Sequence, residues 1–284
     1  MSALAARYQD ALDENFKSRA IREALVAADP GNVRWQEPLA TAFEKIGDML
    51  RELGRVGEAL TATDQSLAIR QRLVDLDQAD ANRQRELAVS YERRGLALGR
   101  LGRLDDALDA FTKSLNIRQR LAADKSNAQW QRDLSVSYER IGDYLKEIGK
   151  IAQALTAYRE CFAIRQTLAI ADPDNTERQR DLSVAYSRIG NTELALGQRE
   201  EGLDALRKSL AIREKLTRDD PGNALWQADL VIALRTLGLA GDEARPRLSR
   251  ALEIARRLQE EDKLGADRRG WVGQLEQDIS ELPN

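Results

Sequence analysis

At 284 residues, 32 % of them charged and 42 % hydrophobic, the chain can bury a sizeable core but is too polar for a membrane-spanning protein. Its net charge of −3 gives no overall positive field to attract nucleic acid or an anionic membrane. The chain has no histidine and a single cysteine, Cys161. This composition excludes histidine-based triads, thiolate zinc clusters and internal disulfides. No apolar run fits a signal peptide or a membrane span, so we predict a cytoplasmic chain that needs no cofactor and no metal.

Residues 1–31 carry half of a pattern that is complete further along the chain. Ile21-Arg22 comes ten residues after Ala11, and Asp29-Pro30 begins eight residues after Ile21. The same residues recur at the same offsets between positions 154 and 173. The first 31 residues therefore predict a half-repeat that consists of the second helix of a unit.

The strongest signal is the segment from Trp130 to Gly142, which recurs along the chain. The glycines that end its copies are spaced 48, 47, 48 and 48 residues apart. A near-constant period of this size is typical of a repeat array, in which each unit packs on its neighbours. The copies begin at Trp35, Arg83, Arg178 and Trp226, and they end at Gly47, Gly95, Gly190 and Gly238.

Each unit has two amphipathic halves. In the third unit Leu134, Tyr138, Ile141 and Leu145 lie on one face of a helix with 3.6 residues per turn. A glycine follows this half, here Gly149, and can close the helix in the left-handed conformation. Units are separated by Asp-Pro-x-Asn, in which proline ends one helix and asparagine caps the next. The pattern thus predicts an all-α array of helix-turn-helix units.

These signals divide the chain into one solenoid domain with five units. The predicted boundaries are an N-terminal half-repeat at 1–31, repeats at 32–79, 80–126, 127–174 and 175–222, a shortened repeat at 223–262, and a C-terminal capping helix at 263–284. The capping helix is expected from Ala266 to Leu282, with Trp271, Leu275 and Ile279 on its apolar face.

Three positions depart from the repeat. Pro38 predicts that the first helix of repeat 1 starts near Glu37 or is kinked there. Glu193 stands where the other repeats have leucine, which makes the packing of the fourth repeat the weakest. In the fifth repeat, six residues separate Gly238 from the first small residue of the second helix, whereas the fourth repeat has twelve, so six residues have been lost.

The third unit reads Tyr138-x2-Ile141-Gly142-x2-Leu145 and then Ala154-x3-Tyr158. This order matches the tetratricopeptide pattern W-x2-L-G-x2-Y followed by A-x3-F. From residue 11 to residue 258 the chain resembles tetratricopeptide repeat proteins of a long-repeat type, similar to kinesin light chain repeats and to arrays in bacterial signalling proteins. The resemblance implies an α–α superhelix whose partners lie in a concave groove lined by the first helices.

Two rows of residues are the candidate contacts in that groove. The row three residues before each motif glycine is acidic in its N-terminal half and basic at its end, and the row one residue after the glycine is partly acidic. We expect the groove to prefer a basic or amide-rich peptide. The candidate partner-binding residues are Glu44, Asp48, Glu92, Glu139, Asp143, Ser187, Asn191 and Arg235.

Other interpretations of these charges stay open. The acidic row is also compatible with a merely solvated helix face, and the basic row Lys45, Arg93, Arg140 and Arg188 with pairing to neighbouring acids. A clamp for a C-terminal carboxylate would need lysine and asparagine where this chain has Glu and Asp. The arginines that follow the isoleucine of each second helix (Arg22, Arg70, Arg118, Arg165 and Arg213) are expected to hold neighbouring units together, towards the aspartates between units.

The chain is therefore expected to be a non-catalytic scaffold or adaptor that binds a protein or peptide partner, with no affinity for nucleic acid or membranes. An alternative is a regulatory or sensor module that controls a separate effector enzyme. Self-association is compatible with both. No nucleophile–base pair or phosphate-binding loop can be assembled from the motifs, so we do not expect an enzyme.

Overall fold

The computed structural model describes residues 3–265 and 268–283, with side chains from residue 9 onward. Within these residues there are twelve α-helices and no β-strand, so the predicted all-α class is confirmed. The helices are α1 (Ala3–Ala28), α2 (Val33–Glu52), α3 (Val56–Leu76), α4 (Ala81–Arg100), α5 (Leu104–Leu121), α6 (Ala128–Glu147), α7 (Ile151–Ala171), α8 (Thr176–Ala195), α9 (Arg199–Asp219), α10 (Ala224–Leu239), α11 (Ala244–Glu260) and α12 (Trp271–Ser280).

The chain forms two compact units, Met1–Tyr144 (unit 1) and Leu145–Asn284 (unit 2). In unit 1 each of α1 to α4 packs on the helix that follows it, around a core that includes Leu12, Phe43 and Leu73. In unit 2 consecutive helices pack in the same way from α7 to α12, around a core that includes Leu206 and Leu248. Both cores lie between helices that are neighbours in sequence, as expected for an array of helix pairs.

Helix starts and ends follow the predicted turn chemistry. The side chain of Asn175 accepts a hydrogen bond from the backbone N–H of Arg178 at 3.1 Å and so caps α8. Asn32 and Asn223 cap α2 and α10 in the same manner. The first helices end at glycines in the left-handed region, namely Gly54, Gly102, Gly149 and Gly197 with φ between 72° and 78°.

A glutamine in each motif closes the turn between repeats, a role that the sequence analysis did not assign. The amide of Gln179 donates to the carbonyl oxygens of Pro173 and Ala169, both at 3.2 Å. Its equivalents donate to carbonyl oxygens at the end of the preceding helix or in the turn that follows it. They are Gln36 to Pro30, Gln84 to Gln78, Gln131 to Ala122 and Gln227 to Pro221. The glutamine of the repeated motif therefore has a structural role, which is to stabilise the turn between repeats.

The motif glycines allow the two helices of a repeat to approach closely. A Cβ at Gly190 would lie 2.7 Å from the carbonyl oxygen of Gly202, and one at Gly238 would lie 3.2 Å from that of Ala244. Because Gly202 and Ala244 are the first small residues of their second helices, the fifth repeat keeps this contact in spite of its lost residues. The deletion has shortened α10 to 16 residues against 20 in α8.

Two sequence expectations need correction. Of the two expectations for Pro38, a start of α2 near Glu37 is wrong, because the helix begins at Val33 and continues through Pro38. A kink at Pro38 stays a prediction. A proline inside a helix loses one backbone hydrogen bond and crowds the carbonyl four residues earlier, so the packing of α2 on α1 and α3 outweighs this cost. The capping helix α12 begins at Trp271, and the predicted start at Ala266 lies outside the described residues. Its apolar face is as predicted, since Leu275 is fully buried and Trp271 packs on the core of unit 2.

Glu193 is accommodated by an ion pair. It is buried, and its carboxylate accepts a hydrogen bond from Arg159 Nη2 of α7 at 3.0 Å. The arginine side chain reaches this carboxylate from the surface, where most of it remains solvated. For the chain as a whole we propose the division into five repeats and a cap given above, because caps, turns and close contacts recur at those boundaries.

Candidate functional site

The predicted partner-binding residues lie on the first helices of the repeats. We call the surface that these helices form in each unit its first-helix face. That of unit 1 comprises α2, α4 and the part of α6 up to Tyr144, and that of unit 2 comprises α8 and α10. Glu44, Asp48 and Glu92 belong to unit 1, and Ser187, Asn191 and Arg235 belong to unit 2. Glu139 and Asp143, both half-buried on α6, also belong to unit 1.

Glu44 is buried, with 5 % of its surface exposed. Its carboxylate accepts hydrogen bonds from Ser66 Oγ at 3.0 Å, Ser90 Oγ at 3.1 Å and Arg70 Nε at 3.2 Å. Arg93 Nη1 lies 3.2 Å from the second carboxylate oxygen. Two serines and two arginines from α3 and α4 therefore surround one carboxylate of α2. We call this arrangement the carboxylate cradle.

Glu92 occupies a second carboxylate cradle one repeat later. Arg118 Nη2 lies 3.0 Å from one of its oxygens, and Arg140 Nε lies 3.2 Å from the other. Arg118 also donates to Ser137 Oγ at 2.8 Å. The residues of the two cradles are equivalent, because Arg118 follows Arg70 by 48 residues and Arg140 follows Arg93 by 47. The cradle is thus a property of the repeat.

In the fourth repeat Ser187 takes the place of the glutamate. Arg213, equivalent to Arg70, is buried and donates to Ser187 Oγ at 3.4 Å and to the backbone carbonyl of Asp229 at 2.7 Å. Burial lowers the pKa of the Arg213 guanidinium from its ordinary value. Position 236, which would carry the second arginine, is a threonine. This repeat has therefore lost both the carboxylate and one of its two cations.

The remaining candidates on this face differ in how they are held. Asp48 bonds to Arg51 at 2.9 Å and to Arg93 at 3.3 Å. Arg235 forms two bonds to Asp278 of α12, at 2.6 and 3.2 Å. The expected basic end of the groove is therefore neutralised by the capping helix, whose charge could not be placed by repeat alignment. Asn191 is half-buried on α8.

Arg70, Arg118 and Arg213 of the second helices hold neighbouring helices together through partners other than the aspartates between units, whereas Arg22 bonds Ser18 of its own helix. Arg70 bonds Glu44 and Thr41 of α2 and lies 3.4 Å from Glu86 of α4. Arg213 likewise reaches α8 and α10. The physical reason is depth, because these side chains are buried between first helices whereas the turn aspartates are at the surface.

A second set of ion pairs, which was not predicted from the sequence, joins successive first helices. Arg85 of α4 bonds Asp133 of α6, and Arg180 of α8 bonds Asp229 of α10 with Nε at 2.5 Å from the carboxylate. These hydrogen bonds raise the pKa of both arginines. The signal was available in the sequence, since an arginine is followed by an aspartate 48 or 49 residues later in both cases.

The chain was compared with known protein families. Models of the tetratricopeptide repeat match residues 39–80, 86–167 and 182–221, which together make up more than half of the chain. The chain belongs to the tetratricopeptide repeat proteins. Such repeats generally mediate protein–protein interactions, and their fold is typically a non-catalytic scaffold.

Solved structures agree on the fold. BtubC (BKLC) from P. vanneervenii is 18 % identical with a TM-score of 0.67, and the match covers 89 % of this chain and 92 % of that one. A point variant of the nearly identical TPR-like repeats of a kinesin-light-chain-like protein from Podosopora anserina is 19 % identical with a TM-score of 0.53, covering 78 % and 96 %. At these identities the likeness shows the tetratricopeptide-like solenoid fold alone. No curated protein matches the chain.

Among the described residues, no group of three or more Cys, Asp or Glu side chains is arranged to hold a metal ion. None of the helices in the described ranges is both long and apolar enough to cross a membrane. The chemistry that the described face offers to a ligand is therefore that of charged, polar and apolar side chains on helices.

Proposed function

We propose that the chain is a non-catalytic scaffold or adaptor that binds a protein or peptide partner through its first-helix face. The family supports an interaction function in general. The observation that carries the finer proposal is on α10, where Ile232 is 43 % and Leu239 is 54 % exposed. Large apolar side chains in this position on a helix surface favour contact with a partner.

The apolar residues of α10 border a small cavity. Ile232, Arg235 and Leu239 line it together with Trp271 of α12, and its volume is about 110 Å³. Arg235 is already bonded to Asp278, so the cavity offers a partner an apolar surface beside a neutralised ion pair. Such a surface suits an apolar anchor side chain with a polar flank, which is the usual composition of an interface centre.

The chemistry proposed for the partner depends on which carboxylates remain accessible. Glu44 and Glu92 each contact two arginines, so we assign them a structural role. A basic or amide-rich peptide would have to displace those arginines. Asp48 also contacts two arginines, but 35 % of its side chain is exposed, against 6 % for Glu44 and 14 % for Glu92. The candidate contacts kept in the proposal are therefore Asp48, Asn191 and Arg235 on α2, α8 and α10. The half-buried Glu139 and Asp143 stay in it as residues of α6.

Affinity capture from a cell extract tests the proposal. Ile232→Ser with Leu239→Ser is expected to lose the dominant captured protein, because the apolar contact area is removed. Ile170→Ser is the matched control, since Ile170 is 70 % exposed at the end of α7, away from the first-helix face. Equal capture by all three proteins would contradict the assignment of this face. A monomer in light scattering that captures no protein would contradict the scaffold function itself.

The alternative of a regulatory module is favoured by no observation on the described residues. We propose a cytoplasmic setting on the basis of composition, because the chain has a single cysteine, Cys161, and it is buried.

A further inference from the structure

Unit 1 contains a third set of residues that is equivalent to the surroundings of Glu44, but no carboxylate lies among them. The cradle of Glu44 is built from Ser66, Arg70, Ser90 and Arg93. The residues 48 positions earlier are Ser18, Arg22, Ala42 and Lys45, which keep one serine and both cations. All four line one cavity of about 630 Å³ between α1, α2 and their neighbours.

The charges around this cavity leave an excess of cations. Arg22, Arg34 and Lys45 form no ion pair with any carboxylate of the described residues, and the guanidinium of Arg22 donates to Ser18 Oγ instead. The two acids of the lining pair with other arginines, Glu37 with Arg83 at 3.3 Å and Glu86 with Arg70, which also lines the cavity, at 3.4 Å. A carboxylate that entered here would therefore meet two or three cations whose charge is not neutralised.

The fourth repeat gives an internal control for this argument. Where the glutamate is replaced by Ser187, the second cation is replaced by Thr236 as well. In the cavity of α1 and α2 both cations are kept. The pattern of Ser18, Arg22 and Lys45 thus resembles the cradles that hold a glutamate and differs from the one that does not.

An uncovered apolar strip lies beside the cavity on α1. Ile21 is 65 % and Leu25 is 41 % exposed, whereas their equivalents on α3, Ile69 and Leu73, are 8 % and 0 % exposed. Helix α2 contributes Glu44 to the cradle and belongs to the same core cluster as Ile69 and Leu73. The apolar residues of α3 that pack in one core with α2 therefore have equivalents on α1, Ile21 and Leu25, and these are exposed.

We propose that this surface of α1 and α2 binds an amphipathic helix of a partner protein, with a glutamate of that helix between Arg22 and Lys45. The apolar side of the helix covers Ile21 and Leu25, as α2 does for the equivalent residues of α3. The proposal deepens the proposed function, because it names the chemistry of one partner segment. It also differs from the basic partner expected from the sequence, since the residue recognised here is acidic.

A peptide of residues 32–54 is the probe, because it carries the sequence of α2 with Glu44 in the required position. Fluorescence anisotropy compares this peptide with a Glu44→Gln version. We expect the glutamate peptide to bind about tenfold more tightly, because a carboxylate between two cations gains charge-assisted hydrogen bonds. In the full chain, Arg22→Gln with Lys45→Gln should abolish this difference. Lys125→Gln, at an exposed lysine in the turn after α5, should leave it unchanged.

Several results would overturn the proposal. One is equal affinity of the two peptides for the unaltered chain, and another is no binding of either. A third is dependence on Arg70 and Arg93 in place of Arg22 and Lys45, which would mean that the peptide replaces α2 in its own position. Displacement by inorganic phosphate at equal charge would show an unspecific anion site. Because the capture experiment uses α10 variants of unit 2, loss of this proposal leaves the scaffold function standing.

Discussion

The site of Glu44 in unit 1 and the equivalent site of Ser187 in unit 2 each provide partners for a buried arginine, but they do so with different side chains. In the first, one buried carboxylate contacts Arg70 and Arg93. In the second, Arg213 donates to the hydroxyls of Ser183 and Ser187 and to the backbone carbonyl of Asp229, and no second arginine is present. The equivalent positions hold two arginines and one glutamate in the first cradle and one arginine and no glutamate in the second, so the repeat that has lost the anion has also lost a cation. The difference shows that the residues of the cradle act as a set.

Removing the carboxylate from the first cradle is expected to have the largest effect. Glu44→Gln leaves Arg70 buried without its main partner, so unit 1 should lose about 3 kcal/mol of unfolding free energy, as for other broken buried ion pairs. Ser187→Ala removes one hydrogen-bond acceptor and should cost about 1 kcal/mol. Hydrogen exchange of the amides in α3 and α9 measures both locally. Equal losses would contradict the comparison.

Copying the fourth repeat into the first cradle should restore part of this loss. Glu44→Ser alone removes the carboxylate that Arg70 and Arg93 share, whereas Glu44→Ser with Arg93→Thr recreates the combination of Ser187 and Thr236. We expect a favourable coupling of about 1 to 2 kcal/mol in a double-mutant cycle, because the substitutions share one site. Urea unfolding of the four proteins gives the coupling. Strict additivity would show that the two residues do not act together.

The reverse exchange should give a smaller gain. Ser187→Glu places a carboxylate beside the buried Arg213, and Thr236→Arg supplies the second cation. Their coupling should be favourable by about 1 kcal/mol, since the site is only half-buried at position 187 and water screens part of the attraction. The same double-mutant cycle in unit 2 tests this. An unfavourable coupling would mean that the geometry of the fourth repeat does not match that of the first two.

The stability contributed by the site at Ser187 and that contributed by Asp242, in the turn between α10 and α11, should respond differently to acid. Asp242 is buried in the turn of the shortened repeat, and the hydrogen bond from Arg207, supported by Arg247, lowers its pKa. A carboxylate with a lowered pKa in the folded state stabilises above its unfolded value of about 3.9, and this contribution is lost as the pH falls through the folded value.

Thermal unfolding of the full chain between pH 7 and pH 2 is the corresponding measurement. The unaltered chain should lose stability below about pH 4, and Asp242→Asn should remove this component while lowering stability at neutral pH. Ser187→Ala should not alter the pH dependence, because neither residue titrates. A pH profile that is unchanged in Asp242→Asn would contradict the role given to this aspartate.

The sequence was sufficient for the features that depend on neighbours along the chain. The caps at Asn32, Asn175 and Asn223, the left-handed glycines and the apolar face of α12 follow from local chemistry and period. It was insufficient for Pro38, where packing of α2 overrides the local preference of proline to start a helix. The equivalence of Gly202 and Ala244 could be predicted, because the repeats can be aligned with one another.

The repeat pattern placed the candidate residues on first helices, but it did not show how their charges are paired. The positions of Glu44, Glu92 and Arg235 on first helices follow from the repeat, yet their charges were taken as available to a partner. Each of them is paired with a residue far away in sequence, for example Arg235 with Asp278 of the cap. Such pairs depend on side-chain direction and depth, which a periodic pattern does not encode. The signal in the sequence was the recurrence of an oppositely charged residue about one unit away, as in Glu44–Arg93, Glu92–Arg140 and Arg85–Asp133.

An exchange of charges across the cavity of α1 and α2 tests the central claim most directly. The chain with Arg22→Glu and Lys45→Glu is titrated with the 32–54 peptide in its native and its Glu44→Lys form, and the unaltered chain is titrated with the same two peptides. If the cavity is a carboxylate cradle, each chain prefers the peptide of opposite charge, and the preference reverses between the two chains. If both chains prefer the same peptide, or neither has a preference, Arg22 and Lys45 do not recognise a carboxylate and the account of this surface is wrong.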